Sequence, residues 1–436
     1  MEESITTFGG DAATTIHPIV LTIFIIAAVF MLIGPKRRIA TLFLFWSLVF
    51  PINQEVVVAG LNLNSIRILI IVAFVSLYLK SGFKIEVTNL DRIIVVWAIA
   101  KVAVVTVLWQ QTAVFVNMMG FLMTTFGIYF LFRATITDGE DLDWLLKNLA
   151  AASLVIALSM TVEQITGRNV FADLGQSALS AVRKGRLRAQ GPFQHPISAG
   201  MFGAVILPLY IMQLYRRRPN KIFWIMGAGA AFVIVLFSSS SGPVLSCLAG
   251  IGALLFWKFR YQMRMIRWST IFCLVALHLI MKAPVWALIG RVGVLSGSTG
   301  YHRVDLINKF VGNFDEWWFL GTKGTRHWGY GMDDMINTFV KQGVEGGLLG
   351  FVLFILVIAA AYKIIGERIN AVKDPSHQLL LWALGASLFV HIVGFFGISY
   401  WDQQLVIWYL ILAIIATFKV KSATAVNERV YADPVI

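Results

Sequence analysis

The chain has 436 residues, 58% of them hydrophobic and 14% charged, with a mean hydropathy of +0.77. Soluble domains carry roughly 45 to 50% apolar and about 25% charged residues, so a soluble globular protein is excluded. The formal net charge of +13 would point to nucleic acid in a soluble protein, but membrane proteins gather Lys and Arg on their cytoplasmic side, and no nucleic-acid partner is expected.

The first seventeen residues carry Glu2, Glu3 and Asp11 and no basic residue. A signal peptide opens with positive charge, so the first apolar run is expected to stay in the membrane. A spanning helix takes about 20 mostly apolar residues. On that template the chain reads as an all-α polytopic membrane protein, a single membrane domain over 1–436 with 12–13 transmembrane helices. Thirteen spans lie near 17–34, 39–57, 64–79, 93–109, 113–132, 144–162, 198–214, 222–237, 243–258, 268–286, 346–362, 378–397 and 404–418. The second is the weakest, interrupted by Pro51, Asn53, Gln54 and Glu55.

Basic residues in short loops set the orientation. Lys36, Arg37 and Arg38 follow the first span, and Lys80, Lys84 and Arg92 flank the loop after the third. In alternate loops come Arg133 and Lys147, then Arg216, Arg217, Arg218 and Lys221, then Lys258, Arg260, Arg264 and Arg267. Lys363, Arg368, Lys373, Lys419, Lys421 and Arg429 complete the same side, which places the N-terminus outside and the C-terminus inside.

Two segments too long for turns then face outward, 163–197 and 287–345. The first holds Arg183, Lys184, Gly185, Arg186, Leu187 and Arg188, then Gln190, Gly191, Pro192, Phe193, Gln194, His195 and Pro196. Four basic residues within six positions run against the positive-inside bias. Guanidinium groups bind phosphate bidentately and stay charged at any relevant pH, so the cluster suits a lipid-linked phosphate or pyrophosphate. A contact with membrane-lipid headgroups is the alternative reading.

Between the eighth and ninth spans, Ser238, Ser239, Ser240, Ser241, Gly242 and Pro243 make a short outward turn. Hydroxyls and free N–H groups at a helix start can hold an anion, although these are also ordinary turn residues.

The large outer loop carries Tyr301, His302, Arg303 and Asp305, then Trp317, Trp318 and Phe319, then Arg326, His327, Trp328 and Tyr330, and ends with Asp333, Asp334 and Asn337. It is too aromatic for a disordered linker and is expected to fold against the outer face, partly as short helices. Aromatic faces pack on sugar rings, a His or Asp removes a hydroxyl proton, and Arg stabilises charge on a departing phosphate. Taken singly, each of these residues also has a structural reading, Asp333 or Asp334 as a helix cap and either His as a hydrogen-bonding residue.

Cys247 and Cys273 lie inside apolar runs and read as packing residues, and no motif points to a metal or a nucleotide cofactor. Lys101, His278 and His391 fall within spans. Intramembrane ionisable groups are functional candidates by default, so a transporter, or a non-catalytic assembly partner, stays open.

The order of these features resembles the bacterial O-antigen ligase and polymerase superfamily. Three stretches carry the resemblance: Arg188 through His195 and Pro196; the turn Ser238 to Gly242; and Arg303 through Trp317, Gly321 and Asn337 to Gly347 and Gly350. The resemblance implies a GT-C-like fold in the bacterial inner membrane, with a large, partly helical periplasmic loop and a site facing the periplasm. It also implies transfer of a glycan from a polyprenyl-pyrophosphate carrier to an acceptor hydroxyl, in O-antigen or exopolysaccharide synthesis, without metal or cofactor. A flippase and a chain-length regulator would be working partners.

Carried onto this sequence, Arg188 with Arg186 would hold the pyrophosphate and Arg303 would neutralise the leaving group. His195, Trp317, Trp318, Arg326, Trp328 and Asn337 would bind substrate. Ligases of the family place a His before the Asn of the third stretch, where this chain has Ile336, and the serine turn lacks an arginine often found there. His327, Asp333 and Asp334 are therefore the candidate bases. Both departures favour a polymerase of repeat units over a ligase acting on a lipid or protein acceptor.

Overall fold

The computed structural model describes residues 17–52, 55–58, 61–81, 85–216, 221–295 and 300–417. Among them the chain is almost wholly helical: α1 (Pro18–Ile33), α2 (Lys36–Val49), α3 (Ser65–Ser81), α4 (Asn89–Trp109), α5 (Thr112–Thr135), α6 (Gly139–Thr166), α7 (Pro196–Tyr215) and α8 (Lys221–Phe237). There follow α9 (Ser241–Leu255), α10 (Met263–Ile280), α11 (Ala287–Leu295), α12 (Gly300–Gly312), α13 (Phe314–Trp317), α14 (Thr338–Ala371), α15 (Pro375–Phe395) and α16 (Gln403–Thr417). Two antiparallel hairpins complete the described chain, β1 (Glu55–Val58) with β2 (Leu61–Asn64) and β3 (Ala181–Arg183) with β4 (Arg186–Arg188).

Eight helices are long and apolar enough to cross a membrane, namely α4, α5, α6, α7, α9 with its short extension to Phe259, α10, α14 and α15. α1, α8 and α16 are shorter apolar helices. The protein is thus an all-α, multi-pass membrane protein. Each of the thirteen expected spans coincides with a helix, although only the eight above are long and apolar enough to cross, and three depart most from the expected bounds.

The second stops at Val49 because Pro51 lacks an N–H and forces Phe50 into extended backbone (φ −101°, ψ 144°). A hairpin takes the place of its last turns. The tenth ends at Ile280, ahead of Pro284. The eleventh begins eight residues early at Thr338 and contains a break at Gly347 (φ 61°, ψ −168°), so the segment expected as a loop over 287–345 ends in a helix. The basic residues Lys84, Arg217, Arg218, Lys419, Lys421 and Arg429, the acidic N-terminal residues and the Asn53–Gln54 interruption lie outside the described residues.

Helix starts follow local chemistry. Thr88 and Asp91 form a capping box on α4, and Asp138 accepts from the Glu140 and Asp141 N–H groups at α6. Pro196 and Pro375 sit at first helical positions behind the caps His195 and Asp374. α7 is buried along most of its length and packs on α8, α9 and α15, with α16 also central. Small residues set the close approaches, as expected where lipid removes any hydrophobic drive between helices. Gly250 faces Pro208 and Val390, and Gly200 faces Ser238 and Pro243. By contrast α10 has no buried residue.

The described part of the 287–345 segment has its own core of Leu306, Phe310, Trp317, Trp328, Met332, Val340 and Val344. It is partly built of the short helices α11 to α13, as its aromatic content led us to expect.

Candidate functional site

The 163–197 segment leaves α6 through Gly167 (φ 72°) and turns back as the β3–β4 hairpin. Lys184 (φ 51°) and Gly185 (φ 73°) form a two-residue turn, both left-handed as such a tight hairpin requires. Arg183 pairs with Arg186 and Ala181 with Arg188 in register. Cross-strand partners and alternate residues share a face, so Arg183, Arg186 and Arg188 lie on one face of the hairpin. Arg183 and Arg186 are exposed, whereas Arg188 keeps only 8% of its surface accessible.

Arg188 donates from Nη2 to Ser240 Oγ at 2.7 Å, and that hydroxyl spends its own proton on the Ser238 carbonyl, also at 2.7 Å. The serine turn therefore presents an oxygen lone pair to the guanidinium. Arg303, on α12, reaches the same turn from the 287–345 segment. A Cβ placed on Gly242 would lie 3.7 Å from Arg303 Nη2, and one on Gly397 would lie 3.1 Å from Arg303 Cζ. Nη2 also points at the Gly397 carbonyl from 3.5 Å.

Among the described residues neither guanidinium is paired with a carboxylate, and the Nε–H of each is buried without an acceptor. Burial, followed by the charge of Arg183, pulls both Arg188 and Arg303 below their ordinary pKa. Three arginines thus share one electrostatic neighbourhood. An uncompensated buried charge is unfavourable by on the order of several kcal/mol, which an incoming anion would offset.

His195 caps α7, its Nδ1 accepting the Ile197 N–H at 3.1 Å. The neutral ring then carries its proton on Nε2 as a donor. Burial first and Arg188 second hold this imidazole below its usual pKa, against the opposing charge of Asp334. Asp334 and Asp333 are both exposed. Among the candidate bases, Asp334 is the one whose charge is felt at His195.

The other sequence candidates lie elsewhere or serve structure. His327 Nε2 sits 2.6 Å from Glu316 Oε2, which also accepts from Trp328 Nε1 at 2.9 Å. The hydrogen bond from Trp328 and then that from His327 hold the Glu316 carboxyl below its usual range. With its Nε2 so engaged, His327 has no free nitrogen on that side for an acceptor proton. Trp317 stacks on Phe310 at 4.0 Å and donates to the Phe310 carbonyl, and Trp328 is buried beside it. These two rings pack the outer segment and do not face solvent; Trp318, 47% exposed, does. Arg326 and His327 line an open cavity of about 500 Å³ with Thr322, Lys323 and Gly324. Asn337 is the N-cap of α14, accepting from the Phe339 and Val340 N–H groups.

Within the spans, Lys101 Nζ meets Glu345 Oε2 at 2.6 Å, and His391 Nδ1 meets the Tyr400 hydroxyl at 2.8 Å among aromatic rings. His278 Nδ1 accepts from the Val285 N–H at 3.2 Å and its ring stacks on Trp286.

Sequence reasoning named Arg183 in the basic cluster without placing it on the face of Arg186 and Arg188, and it missed Glu163. That placement was readable from the Lys184–Gly185 turn, which fixes the hairpin register. Glu163 gave no signal beyond a carboxylate near a span end. Neither a family model nor a curated protein matches this chain.

Proposed function

We propose that this protein joins oligosaccharide repeat units carried on polyprenyl pyrophosphate, in the manner of the O-antigen and exopolysaccharide polymerases, with the reaction on the periplasmic face of the bacterial inner membrane. One observation carries the reading. Arg188 and Arg303, from two separate outer segments, converge on the 238–242 turn with no carboxylate partner among the described residues. Two planar cations held at the end of a helical bundle suit a diphosphate whose lipid tail lies in the bilayer.

In this mechanism the acceptor hydroxyl oxygen attacks the anomeric carbon of the donor glycan. The bond from that carbon to the pyrophosphate oxygen breaks, and polyprenyl pyrophosphate leaves with the electron pair. Arg188 and Arg303 stabilise the charge that develops there, and His195 donates from Nε2. The acceptor proton passes to Asp334. Trp318 offers the exposed ring for a sugar.

The test is incubation of purified protein with a polyprenyl-pyrophosphate repeat unit, with and without EDTA, followed by gel separation of lipid-linked glycans. We expect a ladder in wild type that survives chelation and disappears in Arg303→Ala. Transfer to an added lipid or protein acceptor without a ladder would make the protein a ligase. No transfer with competent substrates would overturn the enzymatic reading and direct work to solute flux.

A further inference from the structure

Glu163 lies near the end of α6 with no accessible surface. Its carboxylate is held by neutral donors. Oε1 accepts from Ser180 Oγ at 2.7 Å and from the Gln190 N–H at 3.2 Å; Oε2 accepts from the Gln190 N–H at 3.1 Å and the Gly191 N–H at 2.7 Å. Both backbone donors belong to the few residues that follow Arg188.

The same stretch is fixed from other sides. The Ala189 N–H donates to the Phe237 carbonyl at 3.0 Å. Asn169 Nδ2 donates to the Gly191 carbonyl, and Gln176 and Gln403 both donate to the Pro192 carbonyl. Among these ties Glu163 is the one that carries charge, and bonds to a charged acceptor are roughly twice as strong as neutral ones. Gly191, at φ 56°, would bring a Cβ to 3.1 Å from Met160 Cγ, so the segment has little room to shift toward α6.

We propose that Glu163 is a positioning residue for Arg188: its carboxylate fixes the 189–191 backbone so that the guanidinium is held ready at the Ser240 turn for the donor's pyrophosphate. This rests on the functional reading above. A glutamine in its place turns an NH2 group toward backbone N–H donors, so donor faces donor and at least one bond is lost. An aspartate keeps the charge but is one methylene shorter and reaches fewer of the donors.

The experiment measures binding of geranylgeranyl pyrophosphate to the purified full-length protein in detergent, for wild type, Glu163→Gln, Glu163→Asp, Arg188→Ala and the Glu163→Gln/Arg188→Ala double variant. We expect Glu163→Gln to weaken binding about tenfold in the wild-type background and by less than about twofold in the Arg188→Ala background. Glu163→Asp should fall between wild type and Glu163→Gln. A role confined to fold stability would lower the melting temperature and leave that background dependence absent. Equal weakening in both backgrounds, or unchanged affinity in Glu163→Gln, overturns the inference, as does failure of both Glu163 variants to give monodisperse protein. Wild type that binds the probe yet transfers no glycan sinks the functional reading alone, whereas wild type that does not bind it sinks both.

Discussion

Lys101 on α4 and Glu345 on the first part of α14 form an ion pair of 2.6 Å, with Lys341 3.7 Å from the other carboxylate oxygen. An intramembrane lysine would otherwise mark a transport pathway; here it ties α4 to α14. Lys101→Met leaves Glu345 with the more distant lysine. Because the Glu345 side chain is 30% exposed, we expect a loss of about 2 kcal/mol, below the range for fully buried pairs. Lys101→Met/Glu345→Gln should recover most of it, as read by thermal melting in detergent. Abolished solute flux in sealed vesicles with an unchanged melting temperature would instead favour a transporter.

The segment ahead of α14 is locked to that helix where two glycines meet. Leu348 N–H donates to the Trp318 carbonyl and Thr322 N–H to the Val344 carbonyl, each at 2.8 Å. A Cβ on Gly347 would run into the Phe319 carbonyl, and one on Gly321 into the Val344 carbonyl; both residues have positive φ. Gly347→Ala should therefore destabilise by roughly 3 kcal/mol or more and speed proteolysis within 300–337. Gly312→Ala, with nothing within 4 Å of the new methyl, should leave both measurements unchanged. Equal behaviour of the two variants would contradict this account of the break.

Arg188 and Arg183 should separate by their dependence on salt. Arg188 is buried against Ser240, so Arg188→Lys removes a planar fork that a point charge does not replace. Weakening of pyrophosphate binding by at least about tenfold, near 1.4 kcal/mol, should persist from about 0.05 to 0.5 M salt. Arg183 is exposed and acts at a distance. Arg183→Gln should weaken binding at the low salt and become indistinguishable from wild type at the high salt. Titrations of isoprenoid pyrophosphate at both ionic strengths decide it, and a salt-independent Arg183 effect would place that side chain in direct contact.

The helical frame was legible because hydropathy marks apolar helices: each of the thirteen runs coincides with a helix, and eight of these helices are long and apolar enough to cross a membrane. Their ends depended on local chemistry that hydropathy blurs, such as Pro51 ending α2 or Asn337 starting α14 ahead of its apolar run. Arg188 and Arg303 stood out as outward cations, but only the folded chain brings both to the 238–242 turn. Trp317 and Trp328 misled for a physical reason. Large aromatics fill a small accessory core as readily as they face sugar, and composition does not distinguish the two. Glu163 was silent because, Ser180 apart, its partners are backbone N–H groups, which every residue but proline possesses.

His195 gives a prediction in pH. Its Nδ1 accepts the Ile197 N–H only while that nitrogen is unprotonated, and burial with the Arg188 charge keeps the native pKa below the ordinary value. The unfolded chain takes up this proton near pH 6.5, whereas the native protein resists until lower pH. The contribution to stability is thus complete above about 6.5 and is lost as pH falls toward the native value. His195→Asn retains a capping oxygen and should melt within a few tenths of a kcal/mol of wild type at pH 7.5, while His195→Ala should lose about 1 kcal/mol. On acidification from pH 7.5 to 5, wild type should lose more stability than His195→Asn. Parallel melting curves for the two across that range would show that His195 does not titrate as its surroundings require.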